Sequence, residues 1–199
     1  LPQIRAQLSN PETARLAQAF SAPVILEAGL RDGSLRQAVA EQDKPMLLYE
    51  AGEALRFDKV AIRAGVEGIL AVMREIGLLS PSRRRRSRIE PLVARSSTWV
   101  RAPKSGILLT FTRLGAWVKK GERLGEIADP FGENEETVAA SASGVIIGQV
   151  RLPLVNRGEA LFHIARSDSP DAADATLDAF QSEFAPDFDT EPPDAFRLN

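Results

Sequence analysis

The fold class of this chain is decided at residues 44–53, Lys-Pro-Met-Leu-Leu-Tyr-Glu-Ala-Gly-Glu, where a short apolar run meets a carboxylate and a glycine turn. The unbroken run from Met46 to Tyr49 predicts a strand buried on both faces, as inside a parallel sheet. Glu50 follows at its carboxyl end, where the ligands of open α/β sheets collect, so it is a candidate site residue. The alternative is an acidic side chain that faces solvent in a strand-to-helix loop.

Capping signals before this strand predict an alternation of helices and strands. Asn10 followed by proline is a helix start, and the helix should run to about Phe20. Residues 23–26 form a short apolar strand. Ser34, with glutamine three residues later, has the spacing of a capping box before a second helix at residues 35–42. Helix, strand, helix and strand in succession are typical of an α/β domain.

A third helix is predicted after the central strand, with Asp58 as its cap and Gly77 as its end. Apolar residues recur along it at spacings of three or four, so we expect this stripe to pack in the core. Gly65 and Gly68 each cost about 1 kcal/mol relative to alanine within a helix, which predicts a close backbone contact with the sheet. The stripe consists of Ile62, Val66, Ile69, Met73 and Ile76.

The composition is that of an ordinary globular protein. With 199 residues, 44% of them hydrophobic, one or two domains are expected. A net charge of -2 gives no general attraction to nucleic acid or to an acidic membrane surface, and no apolar run reaches the roughly 20 residues of a membrane span. Zero cysteines exclude disulfides and thiolate metal sites and permit a cytoplasmic location. Because the chain begins with Leu1-Pro2-Gln3, typical of mid-protein sequence, we expect an upstream portion.

An arginine-rich segment divides the chain. Residues 80–98 include two prolines, several serines and five arginines between positions 83 and 88. This composition predicts a basic, flexible linker. Phosphate binding is the alternative, but no aromatic residues alternate with the arginines and the whole chain is not basic, so the linker is favoured.

The part after the linker is an internal duplication. Residues 100–107 match residues 138–145, and residues 118–128 match residues 155–165. Each half has strands separated by glycine turns, and two such units packed face to face would close a small β-sandwich at residues 99–166. The final segment, residues 167–199, is acidic.

The duplicated pattern resembles the barrel-sandwich hybrid fold of biotinyl and lipoyl carrier domains. Carriers present a modifiable lysine between the halves, but residues 129–134 contain none, so we expect a cap or wall for the first domain rather than a swinging arm. In the acidic tail, Leu177, Phe180 and Phe184 would form one face of a docking helix; the alternative is a frayed tail.

The remaining residues give no recognisable catalytic set. His163 is the single histidine and cannot assemble a zinc site by itself, so a structural or exposed role is expected. There is no Ser/His/Asp arrangement, phosphate-binding glycine loop or dinucleotide fingerprint.

Three segments together resemble the succinylglutamate desuccinylase/aspartoacylase family of zinc-dependent amidohydrolases. They are residues 1–5, residues 47–52 with the following helix, and the duplicated sandwich, so the match covers about residues 1–165. The resemblance implies that residues 1–79 are the C-terminal part of a carboxypeptidase-like α/β catalytic domain. The linker, sandwich and tail described above would follow it.

The resemblance also implies an activity, hydrolysis of the amide bond of an N-acyl amino acid or a related small molecule. Glu50 matches the catalytic glutamate, which takes a proton from zinc-bound water and passes it to the leaving amine. Arg36 matches an arginine that binds a substrate carboxylate, although a solvated helix charge is the alternative. Asp32 beside it favours a substrate that also carries an amine.

One departure from the family is the zinc site. The family's zinc ligands, a His-x-x-Glu pair and a later histidine, are expected upstream of Leu1, so this chain alone is expected to be inactive. The partners expected are a small-molecule substrate, no nucleic acid and no membrane, with a homo-oligomer or association with the N-terminal portion as options. The competing hypothesis is a non-catalytic binding or structural module in which Glu50 is vestigial.

Overall fold

The computed structural model describes residues 1–81 and 89–184, which form three four-stranded sheets and four helices. In chain order the elements are β1 (Gln3–Ala6), α1 (Pro11–Phe20), β2 (Val24–Glu27), α2 (Leu35–Ala40), β3 (Leu48–Glu50), α3 (Lys59–Glu75), β4 (Leu92–Ala94), β5 (Ser97–Arg101), β6 (Gly106–Thr110), β7 (Trp117–Val118), β8 (Arg123–Ala128), β9 (Glu136–Ala139), β10 (Gly144–Gln149), β11 (Leu154–Val155), β12 (Ala160–Arg166) and α4 (Pro170–Phe184).

The first sheet has the strand order β3-β1-β2-β4. Strands β1, β2 and β4 are parallel, whereas β3 is an antiparallel edge strand in which Glu50 pairs with Gln3. The prediction of a doubly buried central strand is therefore wrong, and β3 is half-buried. The reason is the connection: α2 has six residues, about 9 Å, and stays at the carboxyl edge of β2, so the chain re-enters the sheet from that edge and runs backward.

This reversal changes the place of Glu50. The residue ends its own strand, as predicted, but it lies at the amino ends of the parallel strands β1 and β2. The rule that ligands collect at the carboxyl ends of parallel strands therefore does not place a site at Glu50. Any site there has to be built by other elements.

The first sheet is covered on both faces. On one face Ile4 and Ile25 pack against Phe20 of α1 in a buried cluster. On the other face Val24 and Leu26 share a cluster with residues of β10, β12 and α4. Because successive side chains of a strand point to opposite faces, this arrangement assigns every residue of β1 to one side or the other.

Helix α3 packs in a different orientation from the predicted one. Its buried residues are small: Ala61, Ala64, Gly65 and Gly68. The predicted apolar stripe faces outward, with Ile62, Val66, Ile69 and Ile76 all 46% or more exposed. That prediction is wrong because the small residues let the helix axis approach its neighbours closely.

The predicted close contact of the two α3 glycines is confirmed. A Cβ atom on Gly65 would lie 2.8 Å from Cε1 of Tyr49 in β3, and one on Gly68 would lie 2.3 Å from Cε1 of Phe20 in α1. Only the first of these contacts is with the sheet. Glycine is needed at both positions because a side chain would overlap an aromatic ring.

The predicted helix caps are confirmed. The side chains of Asn10, Ser34 and Asp58 accept hydrogen bonds from backbone N–H groups three residues later, at 3.0, 3.2 and 2.9 Å. The reciprocal contact of the capping box is shifted, because Gln37 accepts from the N–H of Gly33 at 2.7 Å rather than from Ser34.

The segment predicted as a linker at residues 80–98 is partly ordered structure. Residues 82–88, with the arginine run, lie outside the described residues. Strand β4 pairs with β2 in the first sheet, and Ile89 is buried in a cluster with Phe180 and Phe184 of α4. Of the two options for the tail, the docking helix is found as α4, whose buried face includes Leu177. No helix among the described residues is long and apolar enough to cross a membrane.

The duplicated part forms two four-stranded sheets around one core. Their strand orders are β5-β12-β10-β7 and β11-β6-β8-β9, so each sheet takes two strands from each half of the duplication. The halves thus interleave rather than pack as separate units. Equivalent contacts repeat: Ser143 accepts from the N–H of Lys120, and Ser105 accepts from the N–H of Arg157, both at 3.0 Å.

The turn glycines of the two halves are also equivalent. A Cβ atom on Gly144 (φ 151°) would lie 2.0 Å from the carbonyl oxygen of Ala165, and one on Gly106 (φ 156°) would lie 2.3 Å from that of Ala128. Both contacts are with backbone atoms of a neighbouring strand. The neighbouring strand cannot move away without breaking its ladder.

We predict that Gly144→Ala lowers the free energy of unfolding by about 2–4 kcal/mol, because the clash and the positive φ both penalise a side chain. Gly29→Ala is the matched control, since no atom lies within 4 Å of its Cβ position. It should change stability by about 0.5 kcal/mol or less. Urea denaturation of both variants measures the difference, and equal stabilities would contradict the prediction.

Candidate functional site

A cavity of about 700 Å³ lies where the first sheet, the sandwich and α4 meet. It is at the amino edge of β1, beside the end of β3. Glu50 lines it together with Gln3, Arg5, Trp99 and His163. The predicted residue Glu50 therefore does face a cavity, but one that depends on the sandwich for its second wall.

Strand alternation explains why polar side chains collect at this cavity. In β1, Ile4 points to the helices, so Gln3 and Arg5 point to the sandwich. Glu50 is directly opposite Gln3 on the neighbouring strand and takes the same side. Three polar side chains from two strands thus form one cluster.

The carboxylate of Glu50 is held through one of its oxygen atoms. Arg5 Nε donates to Glu50 Oε2 at 2.7 Å, and Gln3 Nε2 donates to the same oxygen at 3.0 Å. The Glu50 side chain is 41% exposed. Among the described residues no donor contacts its Oε1, so this second oxygen is available to a ligand or to water.

The side-chain amide of Gln3 makes a hydrogen bond through its nitrogen but not through its oxygen. The residue is 5% exposed, and its Oε1 is buried without a hydrogen-bond partner among the described residues. The orientation that donates Nε2 to Glu50 therefore leaves the amide oxygen unsatisfied, which costs about 1–3 kcal/mol. Keeping this orientation indicates that the contact with Glu50 outweighs that cost.

The sandwich contributes an aromatic pair to the opposite wall. His163 of β12 and Trp99 of β5 are cross-strand neighbours, with ring centroids 4.1 Å apart and nearly parallel planes. His163 Nε2 and Ser97 Oγ are 2.8 Å apart. His163 is 3% exposed, so the predicted structural role fits its burial, while the predicted exposed alternative does not.

Burial also sets the charge of this histidine. Desolvation by burial and, to a smaller extent, the charge of Arg5 together lower the pKa of His163 to about 4, and the charge of Glu50 opposes this shift. The imidazole is therefore neutral near pH 7. The charges of Arg5 and Glu50, on the first sheet, therefore act on His163, on the sandwich.

Neither Arg36 nor Asp32 lines this cavity. Arg36 donates to the carbonyl oxygens of Ala28 and Gly29 at 3.1 and 3.3 Å, just beyond the carboxyl end of β2. It lines a second cavity of about 430 Å³ that does not include Glu50. The predicted grouping of these residues with Glu50 is not found, because β3 runs antiparallel and puts Glu50 at the opposite edge.

The residues present do not fit a zinc ion. Within residues 1–81 and 89–184 no three His, Cys, Asp or Glu side chains are grouped closely enough to hold a metal. At Glu50 the nearest polar partners are a guanidinium and an amide donor, which are not metal ligands.

Sequence reasoning missed Gln3, Arg5 and Trp99 as site residues. Two signals point to them. The alternation of polar and apolar residues in β1 marks the polar face. Comparison of the two repeats shows that Trp99 and His163 stand where the other half has Thr137 and Glu126. An aromatic pair in only one of two equivalent positions indicates a local role outside the repeat.

Solved structures of known proteins share this fold. The apo structure of the ectoine utilization protein EutE (DoeB) from Ruegeria pomeroyi superposes with a TM-score of 0.75 at 20% identity, over 84% of this chain and 55% of that chain. A succinylglutamate desuccinylase/aspartoacylase from Rhodobacter sphaeroides gives a TM-score of 0.72 at 19% identity, over 85% and 54%. An aspartoacylase family protein from Mesorhizobium loti gives 0.64 at 18%, over 84% and 58%.

These similarities establish the fold of the chain. The resemblance to the succinylglutamate desuccinylase/aspartoacylase family, predicted from the sequence, is confirmed at this level. The chain spans about half the length of these proteins. No family model and no curated relative matches the sequence.

The titration of His163 predicts how stability depends on pH. Its pKa is about 4 in the folded chain and 6.5 in its ordinary state, so between these values the unfolded chain binds more protons. This contribution to stability is complete above pH 6.5 and is lost as the pH falls toward 4. Urea denaturation from pH 4 to 7 should show a shallower pH dependence in His163→Asn. An unchanged dependence would contradict the prediction.

The charges of Arg5 and Glu50 should be visible in the same titration. Arg5→Gln should raise the pKa of His163 and Glu50→Gln should lower it, because each variant removes one of the two opposing charges. NMR of the imidazole measures the pKa without assignment, since the chain has a single histidine. Arg95→Gln, which does not line the cavity, is the control and should leave the titration unchanged.

Proposed function

We propose that this chain is the C-terminal portion of a deacylase that hydrolyses the amide bond of N-acyl amino acids or related small molecules. The observation that carries the proposal is Glu50, a carboxylate at a cavity with one oxygen anchored and the other open. The shared fold with a succinylglutamate desuccinylase/aspartoacylase supports it. We place the protein in the cytoplasm.

In this proposal Glu50 is the general base. Arg5 and Gln3 hold Oε2 at the cavity that Glu50 lines, which leaves Oε1 to accept a proton from the attacking water. The protonated carboxyl then passes that proton to the leaving amine. A base has to stay within hydrogen-bond reach of the water through both steps. The two hydrogen bonds to Oε2 restrain the carboxylate in this way.

Zinc is part of the proposal only through the family resemblance. A zinc ion would act as a Lewis acid on the substrate carbonyl and on water. The described residues do not supply its ligands, which we propose to lie upstream of Leu1 in a longer polypeptide.

The sandwich acts as a wall of the site in this proposal. The stacked pair of Trp99 and His163 lines the cavity together with Glu50, and the neutral imidazole adds no charge near pH 7. The proposal retains the likeness of this domain to barrel-sandwich hybrid folds. It assigns the domain no swinging arm, since the connection at residues 129–134 lacks a lysine.

A second surface supports association with further polypeptide. Helix α3 has an outward apolar stripe, and β3 is an edge strand of the first sheet. Exposed apolar stripes and open strand edges are features of interaction sites. We propose that the N-terminal portion of the longer protein, or a second copy, packs there.

A non-catalytic module is the second candidate function. It is favoured by the ion pair itself, because Arg5, Gln3 and Glu50 make the same contacts that a purely structural cross-strand bridge would make. In that case Glu50 is needed for stability and not for turnover.

Glu50→Gln in the longer polypeptide separates the two candidates. Under the deacylase proposal, hydrolysis of N-acyl amino acids should fall by a factor of about 10² to 10⁴, because the amide cannot act as a base. Glu12→Gln, on the exposed side of α1, is the control and should keep full activity. Unfolding measurements on the same variants test the second candidate: lost stability with unchanged turnover would refute the deacylase proposal.

A further inference from the structure

Two arginines line the cavity from corresponding loops of the duplicated sandwich. Arg113 lies in the loop between β6 and β7, and Arg151 lies in the loop between β10 and β11. In each half the arginine is followed by leucine. The interleaving of the halves brings both loops to the same cavity.

Hydrogen bonds hold the two loops side by side. Gln149 Nε2 donates to the carbonyl oxygen of Thr112 at 3.5 Å, and the N–H of Gly115 donates to the carbonyl oxygen of Ile146 at 2.8 Å. The N–H of Val150 donates to the carbonyl oxygen of Leu161 at 2.8 Å. The residues next to both arginines are therefore fixed to the sandwich.

The two guanidinium groups have no side-chain partners among residues 1–81 and 89–184. Within the described part of the chain, neither Arg113 nor Arg151 forms an ion pair or a hydrogen bond through its side chain, whereas Arg5 at the same cavity is paired with Glu50. A guanidinium presents a planar fork of donors that matches a carboxylate. The pair is thus available to an anionic group of a ligand.

The other charged groups of the cavity limit what that ligand can be. Besides Glu50, the lining contains Glu53 and Asp58 near the start of α3, and Asp174 and Asp178 on α4. Carboxylates therefore outnumber arginines along the walls. A second carboxylate on the ligand would meet like charges once the arginines are occupied.

We propose that Arg113 and Arg151 together bind the carboxylate of the substrate, and that the cavity accepts only this one carboxylate, the remainder of the substrate being neutral or cationic. The inference rests on the proposed function, which it deepens by naming residues that determine specificity. It assigns the two residues to binding, and Glu50 to the proton transfer described above.

A pair of probes of nearly equal shape tests the proposal by binding alone. N-Acetylglutamine carries one carboxylate and N-acetylglutamate carries two. Both are titrated into the 199-residue chain while the indole N–H of Trp99 is followed by NMR. Trp117, whose Nε1 donates to the carbonyl oxygen of Ser167 at 3.3 Å in the body of the protein, is the internal reference.

We expect N-acetylglutamine to shift the Trp99 signal and N-acetylglutamate to bind at least tenfold more weakly. Arg113→Gln and Arg151→Gln should each weaken N-acetylglutamine binding about tenfold. Arg157→Gln, a turn residue outside the cavity, should leave it unchanged. Unchanged spectra elsewhere in the variants show that they are folded.

Three results would overturn the inference: no shift with either probe, equal or tighter binding of N-acetylglutamate, or unchanged affinity in both arginine variants. Glu50→Gln, with binding measured in the 199-residue chain and turnover in the longer polypeptide, separates this inference from the proposed function. Binding retained in that variant with turnover lost supports both. Binding that depends on the arginines, in a protein whose turnover does not need Glu50, refutes the deacylase role alone.

Discussion

The apolar contact between the first sheet and the sandwich is the constraint on which the rest of the structure depends. Val24 and Leu26 of β2 share one buried cluster with Val145 and Ile147 of β10, and Leu177 of α4 closes it. Each fully buried side chain of this kind contributes about 1.5–3 kcal/mol relative to exposure. The two parts therefore form one body.

The polar cluster at Glu50 depends on that apolar contact. An ion pair as exposed as Arg5 and Glu50 contributes about 1 kcal/mol or less, too little to fix the position of the sandwich. The apolar cluster instead sets the distance between the sheets. The alternation of β1 then leaves Gln3 and Arg5 at the same junction, next to the wall formed by Trp99 and His163. Packing thus creates the cavity, and the polar residues line it.

Local features of the fold could be predicted from the sequence, because their causes are local. The caps at Asn10, Ser34 and Asp58 need only neighbours three residues away, and the duplication is visible as a repeat. The orientation of α3 could not be predicted, since large apolar residues normally mark a buried face. Here Gly65 and Gly68 allow a closer approach than any stripe of larger residues. The direction of β3 cannot be predicted from local sequence, because it depends on where α2 lies.

For the site, Glu50 could be predicted from its position at a strand end, but its partners could not. Gln3 and Arg5 are more than forty residues away in sequence, and their contact with Glu50 requires the antiparallel pairing of β3 that sequence reasoning did not anticipate. The grouping of Arg36 with Glu50 rests on the family resemblance, and the antiparallel direction of β3 separates the two residues. A parallel β3 would have placed both at one edge.

The duplication gives an independent reason to locate the site at this junction. His163 and Trp99 pair across β12 and β5 where Glu126 and Thr137 pair across β8 and β9 in the other sheet. The backbone hydrogen bonds of the two halves are equivalent, so the fold does not require the aromatic pair. Thr137 faces solvent, whereas the rings stack at the cavity opposite Glu50. The two halves therefore differ at the wall of the cavity. We infer that Trp99 and His163 are present there because of the site and not because the sandwich needs them to fold.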